Sequence, residues 1–224
     1  MTDAAVLFSG GLDSAVLLAQ ELDRAATVWP IHVRSGLAWE DAEARTVARL
    51  LAAPPFAGRV RPATTLTVDM REIYPPTHWA VVGQPPAYDT PDEDVYLEGR
   101  NIILIGKAAV FCARRHVGRL SLGPLAGNPF PDATSEFFGT MARAMSLGLA
   151  HPLEIAAPFS SFHKEDVIRL GVELGVPLEE TLSCMQPRHD RHCGLCSKCR
   201  ERQEAFRAAG VPDRTVYDAA WTPR

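Results

Sequence analysis

The chain has 224 residues, a formal net charge of −4 and a composition ordinary for a globular protein, enough for one α/β domain with a small appendage. The charge argues against tight nucleic-acid binding, and no apolar run approaches the roughly 20 residues of a membrane span. The first apolar stretch runs straight into glycines rather than forming a signal peptide, so no membrane partner is expected and the expected location is cytoplasmic.

Residues 4–8 read as a buried strand and 15–22 have the spacing of a helix. A second strand at 27–33 and a helix at 39–51 follow, then a third strand at 65–69. Residues 74–91 are rich in proline and show no period, which predicts a surface excursion or lid. A strong helix at 101–116 leads to a short strand at 119–123 and a helix at 136–148. A last strand at 155–157 precedes helices at 164–175 and 198–209. Such alternation predicts an α/β fold with a doubly wound, mostly parallel sheet covered on both faces. Residues 1–180 would form that domain, and 181–224 a small C-terminal segment packed on it.

The string Phe8-Ser9-Gly10-Gly11-Leu12-Asp13-Ser14 follows the first strand and opens the first helix. Glycines let backbone approach phosphate oxygens, and free amides at a helix start face negative charge. Ser9 and Ser14 add hydroxyl donors. Asp13, being anionic, is read as a Mg2+ ligand or a brace for the loop. The string is neither a Walker loop nor the Gly-x-Gly-x-x-Gly fingerprint.

Five cysteines occur, and four of them, Cys184, Cys193, Cys196 and Cys199, crowd into one short stretch. Four thiolates on tight turns match a closed, structural Zn2+ site. A 4Fe–4S cluster is the rival, and metal rather than disulfide chemistry suits the expected compartment. Cys112 reads as a small core residue. His189 and His192 flank the four sulfurs as solvated or supporting residues.

The glycine loop resembles that of ATP pyrophosphatases, whose Rossmann-like fold binds ATP across the carboxyl ends of its strands. Together with the cysteine segment it is similar to the 7-cyano-7-deazaguanine synthase family. Further resemblance lies in Gly99-Arg100-Asn101, in Asn128-Pro129-Phe130-Pro131-Asp132 with Glu136-Phe137, and in Pro158, Lys164 and Thr181-Leu182-Ser183-Cys184. It implies an ATP-dependent ligase of the queuosine precursor route that converts 7-carboxy-7-deazaguanine and ammonia to the nitrile through an adenylate. The other readings are a paralogue adenylating a different carboxylate or amide, a tRNA sulfur transferase, and a non-catalytic nucleotide-binding module.

The resemblance assigns catalytic roles to Asp13, Ser14, Arg100 and Asp132. The nucleotide-binding stretch would comprise Phe8, Ser9, Gly10, Gly11, Leu12, Asp13, Ser14, Ala15, Val16, Leu17 and Leu18. Lys164 is a further candidate for ATP phosphates, although a solvated lysine is the plainer reading. Asp132 would accept from the base edge and Arg100 would meet the substrate carboxylate. Their plainer readings are a cap on the helix at 136–148 and an ion pair at a helix start. Where the family has Tyr-Pro-Asp-Cys-Arg, this chain has Phe130-Pro131-Asp132-Ala133-Thr134, and Glu98 and Met185 replace its proline and tyrosine. His163 and Trp79 carry no signal. A homodimer is left open.

Overall fold

A computed structural model describes residues 2–220. Among them, five parallel strands form one sheet in the order β3-β2-β1-β4-β5. The strands are β1 Ala4–Leu7, β2 Val28–Arg34, β3 Thr64–Thr67, β4 Arg119–Ser121 and β5 Glu154–Ala156. β1 is central, with Ala4 in register with both Val28 and Arg119. Its side chains alternate between two cores, as the period of a strand requires. Val6 and Phe8 join Leu12, Val16, Phe159 and Phe206 on one face. Ala5 joins Ile31, Ile105, Ala109, Leu120 and Phe138 on the other. A strand buried on both faces must read as an unbroken apolar run, and β1 does.

The helices are α1 Leu12–Leu22, α2 Glu40–Leu51, α3 Trp79–Val82, α4 Arg100–Arg115, α5 Ser135–Leu149, α6 Lys164–Glu173 and α7 Ser197–Ala209. The chain runs from β1 to β2 and β3 on one side, then returns to place β4 on the other side of β1. That reversal opens a crevice beyond the carboxyl ends of β1 and β4, where such sheets bind ligands. The fold expected from the alternation is the one observed.

Residues 74–91 lie mostly at the surface, as expected, but are anchored to the domain. They contain α3, and Tyr74 and Ala80 are buried in a third cluster with Leu37, Trp39, Met70 and the four cysteines. Gln186 Nε2 donates to the Gly83 carbonyl at 2.9 Å, and Ala87 bridges to Cys196. Proline hid a segment that packs. At the C-terminal end, Ala205 and Phe206 of α7 share the core built by α1 and α6. Cys112 is fully buried in the α4 core, and burial pushes its thiol up to about 12.

Candidate active site

The turn from β1 into α1 leaves helix amides open. Gly10 has φ +78°, and a Cβ there would lie 3.0 Å from Thr46 Cγ2, so only glycine lets the loop rest on α2. Gly11 is the N-cap of α1 and offers no side chain to the first-turn amides. Those unpaired donors, at the positive end of the helix, make an anion site. The serines hold the turn: Ser14 Oγ donates to the Gly11 carbonyl at 2.9 Å, and the Gly11 amide donates to Ser9 Oγ at 3.2 Å.

Asp13 and Lys164 meet across this loop. Lys164 Nζ lies 2.6 Å from Asp13 Oδ2 and 3.1 Å from Glu201 Oε1 of α7, and Lys198 Nζ is 2.6 Å from Glu201 Oε2. Burial alone would lower the Lys164 pKa, but the Asp13 and Glu201 carboxylates raise it above the ordinary lysine range. Burial pushes Glu201 the other way, and the two lysines outweigh it, holding its carboxyl down to about 2. Lys164 is therefore not the solvated residue that the plainer reading assigned. Asp13 Oδ1 is buried without a hydrogen-bond partner, an orphaned acceptor suited to a cation.

The crevice is a cavity of about 500 Å³. Beyond the phosphate loop it is walled by Trp39, Glu43, Trp79, Arg100 and Phe130. Trp39 and Trp79 stack at 5.8 Å and 15°, and Phe130 stacks on Tyr96 at 5.1 Å. Trp39 caps α2 and Glu43 stands one turn on, so both project from one face of the helix. Glu40 secures that helix start by accepting from the Ser35 and Gly36 amides at 2.9 and 2.7 Å. Burial pushes the Glu43 carboxyl up to about 7, against the pull of Arg100 and of a hydrogen bond with Trp39. Arg100 Nε is buried with no hydrogen-bond partner.

Asp132 sits behind Arg100. Its Oδ2 accepts the Asn101 amide at 3.0 Å, and Asn101 Nδ2 donates to its carbonyl at 3.1 Å. The carboxylate thus caps α4, the helix that carries Arg100, from outside that helix. α5 is capped instead by Thr134, whose Oγ1 accepts from Phe137 N at 3.1 Å. The cap on α5 therefore belongs to Thr134, and Asp132 is not among the residues lining the cavity.

The four cysteines are buried, and their Sγ atoms lie within 4.8 Å of one another, so the group could hold a metal ion. Cys184 Sγ accepts the amides of Cys193 and Gln186 at 3.2 and 3.3 Å. Gly194 has φ +78° and abuts the Ala219 carbonyl, leaving no space for a Cβ. Arg202 is fully buried and donates to Thr215 Oγ1, Thr181 Oγ1, Ser183 Oγ and the Leu178 carbonyl at 2.8, 3.0, 3.1 and 2.6 Å. It ties α7 to the strap before Cys184. His192 is buried rather than solvated. Burial first, then Arg202, lowers it to about 3, and its neutral Nε2 accepts the Ser183 amide at 3.0 Å.

The fold thus brings Ser9, Gly11, Leu12, Asp13, Arg100 and Lys164 to one cavity, with Cys184 at its edge. Phe8, Ala15, Val16, Leu17 and Leu18 are buried in the core and do not line it, so their side chains support the loop rather than touch a nucleotide. Trp39, Glu43, Trp79, His163 and Glu201 join the lining without any motif to announce them.

Sheet order, the glycine turn at the switch point and the lysine-braced aspartate place the protein in the pyrophosphatase-loop α/β class. The profile described as queuosine biosynthesis protein QueC matches residues 3–210, and the chain belongs to that family. A 7-cyano-7-deazaguanine synthase from Azoarcus sp. (strain BH72) is 34% identical over 240 residues, covering 98% of this chain and 100% of that protein. One from Methanoculleus marisnigri is 32% identical over 237 residues, covering 97% and 100%. Among solved structures, the U34-tRNA thiolase NcsA from Methanococcus maripaludis, with its 4Fe–4S cluster, matches with a TM-score of 0.50 at 13% identity, over 100% of this chain and 78% of that one. A 4-thiouridine synthetase in an RNA complex with bound ATP also matches at 0.50, with 16% identity over 93% and 51%. At such identities the likeness concerns the fold alone. Among the described residues no helix is long and apolar enough to cross a membrane.

Proposed function

We propose that the chain is an ATP-dependent ligase that converts 7-carboxy-7-deazaguanine and ammonia to 7-cyano-7-deazaguanine, in the cytoplasm where ATP is supplied. The observation that carries this reading is the single cavity joining open helix amides and braced Asp13 to an aromatic-walled pocket bearing Arg100, in a chain of the queuosine biosynthesis family. A carboxylate is a poor electrophile, because its charge repels a nucleophile and oxide is not a leaving group. Its oxygen attacks the α-phosphorus of ATP, and pyrophosphate leaves. Ammonia then displaces AMP, giving the amide. A second adenylation, on the amide oxygen, followed by loss of AMP and a proton, leaves the nitrile.

The chain's own part is positioning and electrostatics. The amides of the first turn of α1 receive phosphate oxygens. Ser9 and Ser14 hold the turn, and Lys164 fixes Asp13 Oδ2 while Oδ1 keeps no hydrogen-bond partner among the described residues. Mg2+ accompanying ATP would meet Oδ1 and supply neutralisation of phosphate charge. Arg100 faces the substrate carboxylate and overcomes its repulsion of the nucleotide.

The four-cysteine group is assigned to Zn2+. Bonds of about 2.3 Å in a tetrahedron set sulfurs about 3.8 Å apart, and Cys193–Cys199 and Cys196–Cys199 stand at 3.9 and 3.6 Å. A 4Fe–4S cluster holds each cysteine on a separate iron and spreads the sulfurs wider. Four thiolates around one divalent ion keep two negative charges. Arg202, three residues after Cys199 on α7 and hydrogen-bonded, among the described residues, only to neutral oxygens, is a cation that would offset part of that charge.

The test is to incubate purified protein with ATP, ammonium and 7-carboxy-7-deazaguanine and to assay nitrile by mass spectrometry. Pyrophosphate release without nitrile, under conditions where another amine gives a conjugate, supports instead the paralogue reading that the altered residues Ala133 and Thr134 favour.

A further inference from the structure

With Asp132 bound to Asn101 and absent from the cavity lining, the donor edge of a guanine-like base needs another acceptor. The cavity offers few carboxylates. Asp13 and Glu201 are both ion-paired to Lys164, and Glu165 follows Lys164 at the start of α6, on the phosphate side. Glu43 stands apart from these. It projects from the same face of α2 as Trp39, beside the Trp39–Trp79 stack, and Arg100 and Trp39 are the groups that act on it most strongly after burial.

We infer that Glu43 is the specificity-determining residue for the base, accepting the ring N–H and the 2-amino group of a 7-deazaguanine while the tryptophan pair walls the flat ring. This inference rests on the functional reading and deepens it. A carboxylate offers two acceptors side by side, and the guanine-type edge offers two donors side by side, so the match is bidentate. Adenine presents a donor next to an acceptor, and the acceptor would face a carboxylate oxygen. The residue therefore discriminates between the two purine-like rings that enter this cavity, favouring the substrate and rejecting the adenine of ATP. Indole faces give area at little entropic cost, and Trp39 stands one turn before Glu43 on the same face of α2.

The experiment compares binding of 7-deazaguanine and 7-deazahypoxanthine, which lacks the 2-amino group, to the wild type and to Glu43→Gln, by calorimetry. It is run at about pH 8.5, where a carboxyl raised to about 7 is ionised. ATP binding and the melting temperature are recorded in parallel. Hydrogen bonds to a charged acceptor imply that the wild type prefers 7-deazaguanine by about tenfold or more. Glu43→Gln should reduce that preference to about threefold or less, with ATP binding unchanged. A variant that remains folded and keeps the full preference overturns the assignment while the functional reading stands. Weakened ATP binding with the preference intact also overturns it, because Glu43 would then serve the adenine. If the wild type binds neither base, both the assignment and the functional reading fall. Should Glu43→Gln not fold, Glu43→Asp takes its place, with the carboxylate withdrawn by one methylene and the same loss of preference expected.

Discussion

Lys164 Nζ sits 2.6 Å from Asp13 Oδ2, so the first residue of α6 locks a side chain in the first turn of α1. A cation at a helix start is opposed by the helix dipole, and here two carboxylates from other helices offset that opposition. The pair makes the glycine loop a tertiary object rather than a local turn. Asp13→Ala is expected to lower ATP turnover by about 10²–10³-fold, the scale for losing one pre-organised contact to developing charge. Ser14→Ala, which removes the hydroxyl bond to the Gly11 carbonyl, should act in the same direction. Pyrophosphate release measured beside circular dichroism checks both. Near-normal release by either folded variant would displace the nucleotide site from this loop.

The same network predicts an acid limit to stability. Glu201 has its carboxyl held from an ordinary 4.5 down to about 2 by Lys164 and Lys198. A group with a lowered folded value lends stability that is complete above its unfolded value and is lost as pH falls through the folded one. The contribution should therefore be present above about pH 4.5 and decline towards pH 2. Glu201→Gln should melt lower than the wild type at pH 7, and the gap should narrow as the pH drops through that window. Thermal melts at several pH values measure it, and a gap that stays constant with pH would remove Glu201 from the account.

How much of this was legible in the chain depends on how far apart the partners lie. The glycine loop was readable because its chemistry is local: Gly10, Gly11 and Ser14 act on their own turn. The strands were readable because parallel strands covered on both faces are apolar runs. The cysteines announced themselves by spacing. Glu43 and Trp79 gave no such sign, since a glutamate in the first turn of a helix and a tryptophan in a proline-rich stretch are ordinary there. Only packing of α3 against α2 brings them to one cavity. The sequence around Asp132 marks the residue, but its partner, Asn101, lies 31 positions away. The solvated reading of Lys164 failed for the same reason, because Asp13 is 151 positions distant.

The cysteine group makes a prediction independent of catalysis. One zinc per chain is expected by metal analysis after anaerobic and aerobic purification alike. Cys193→Ser should release it and lower the melting temperature, because metal-binding energy in such a segment is also folding energy. The effect should reach the active site as well, since Cys184, Leu182 and Met185 line the same cavity. Cys112→Ala should keep the metal. Iron with inorganic sulfide and a brown colour would establish the cluster in place of zinc.

Asp132 gives the last prediction. Its carboxylate accepts the Asn101 amide at 3.0 Å and stands close to the Asn101 side chain, whose Nδ2 is 3.4 Å from Oδ1. Asn101 follows Arg100 at the start of α4, and Gly99 before it is in the left-handed region at φ +72° with no capping side chain of its own. Asp132 therefore supplies from the next loop the cap that α4 lacks, and it aims the helix that presents Arg100. Loss of an N-cap costs about 1 kcal/mol, and an amide left buried without its acceptor adds to that. Asp132→Ala should accordingly lower the melting temperature by several degrees and raise KM for the deazapurine carboxylate, because Arg100 is no longer held. It should leave KM for ATP near normal. Asp132→Asn keeps an acceptor oxygen for the Asn101 amide and should recover much of both losses. The preference for a base bearing a 2-amino group should survive in both variants, since Asp132 does not line the cavity. A collapse of that preference in Asp132→Asn, with stability restored, would return the base edge to Asp132 and require the loop after β4 to move on binding.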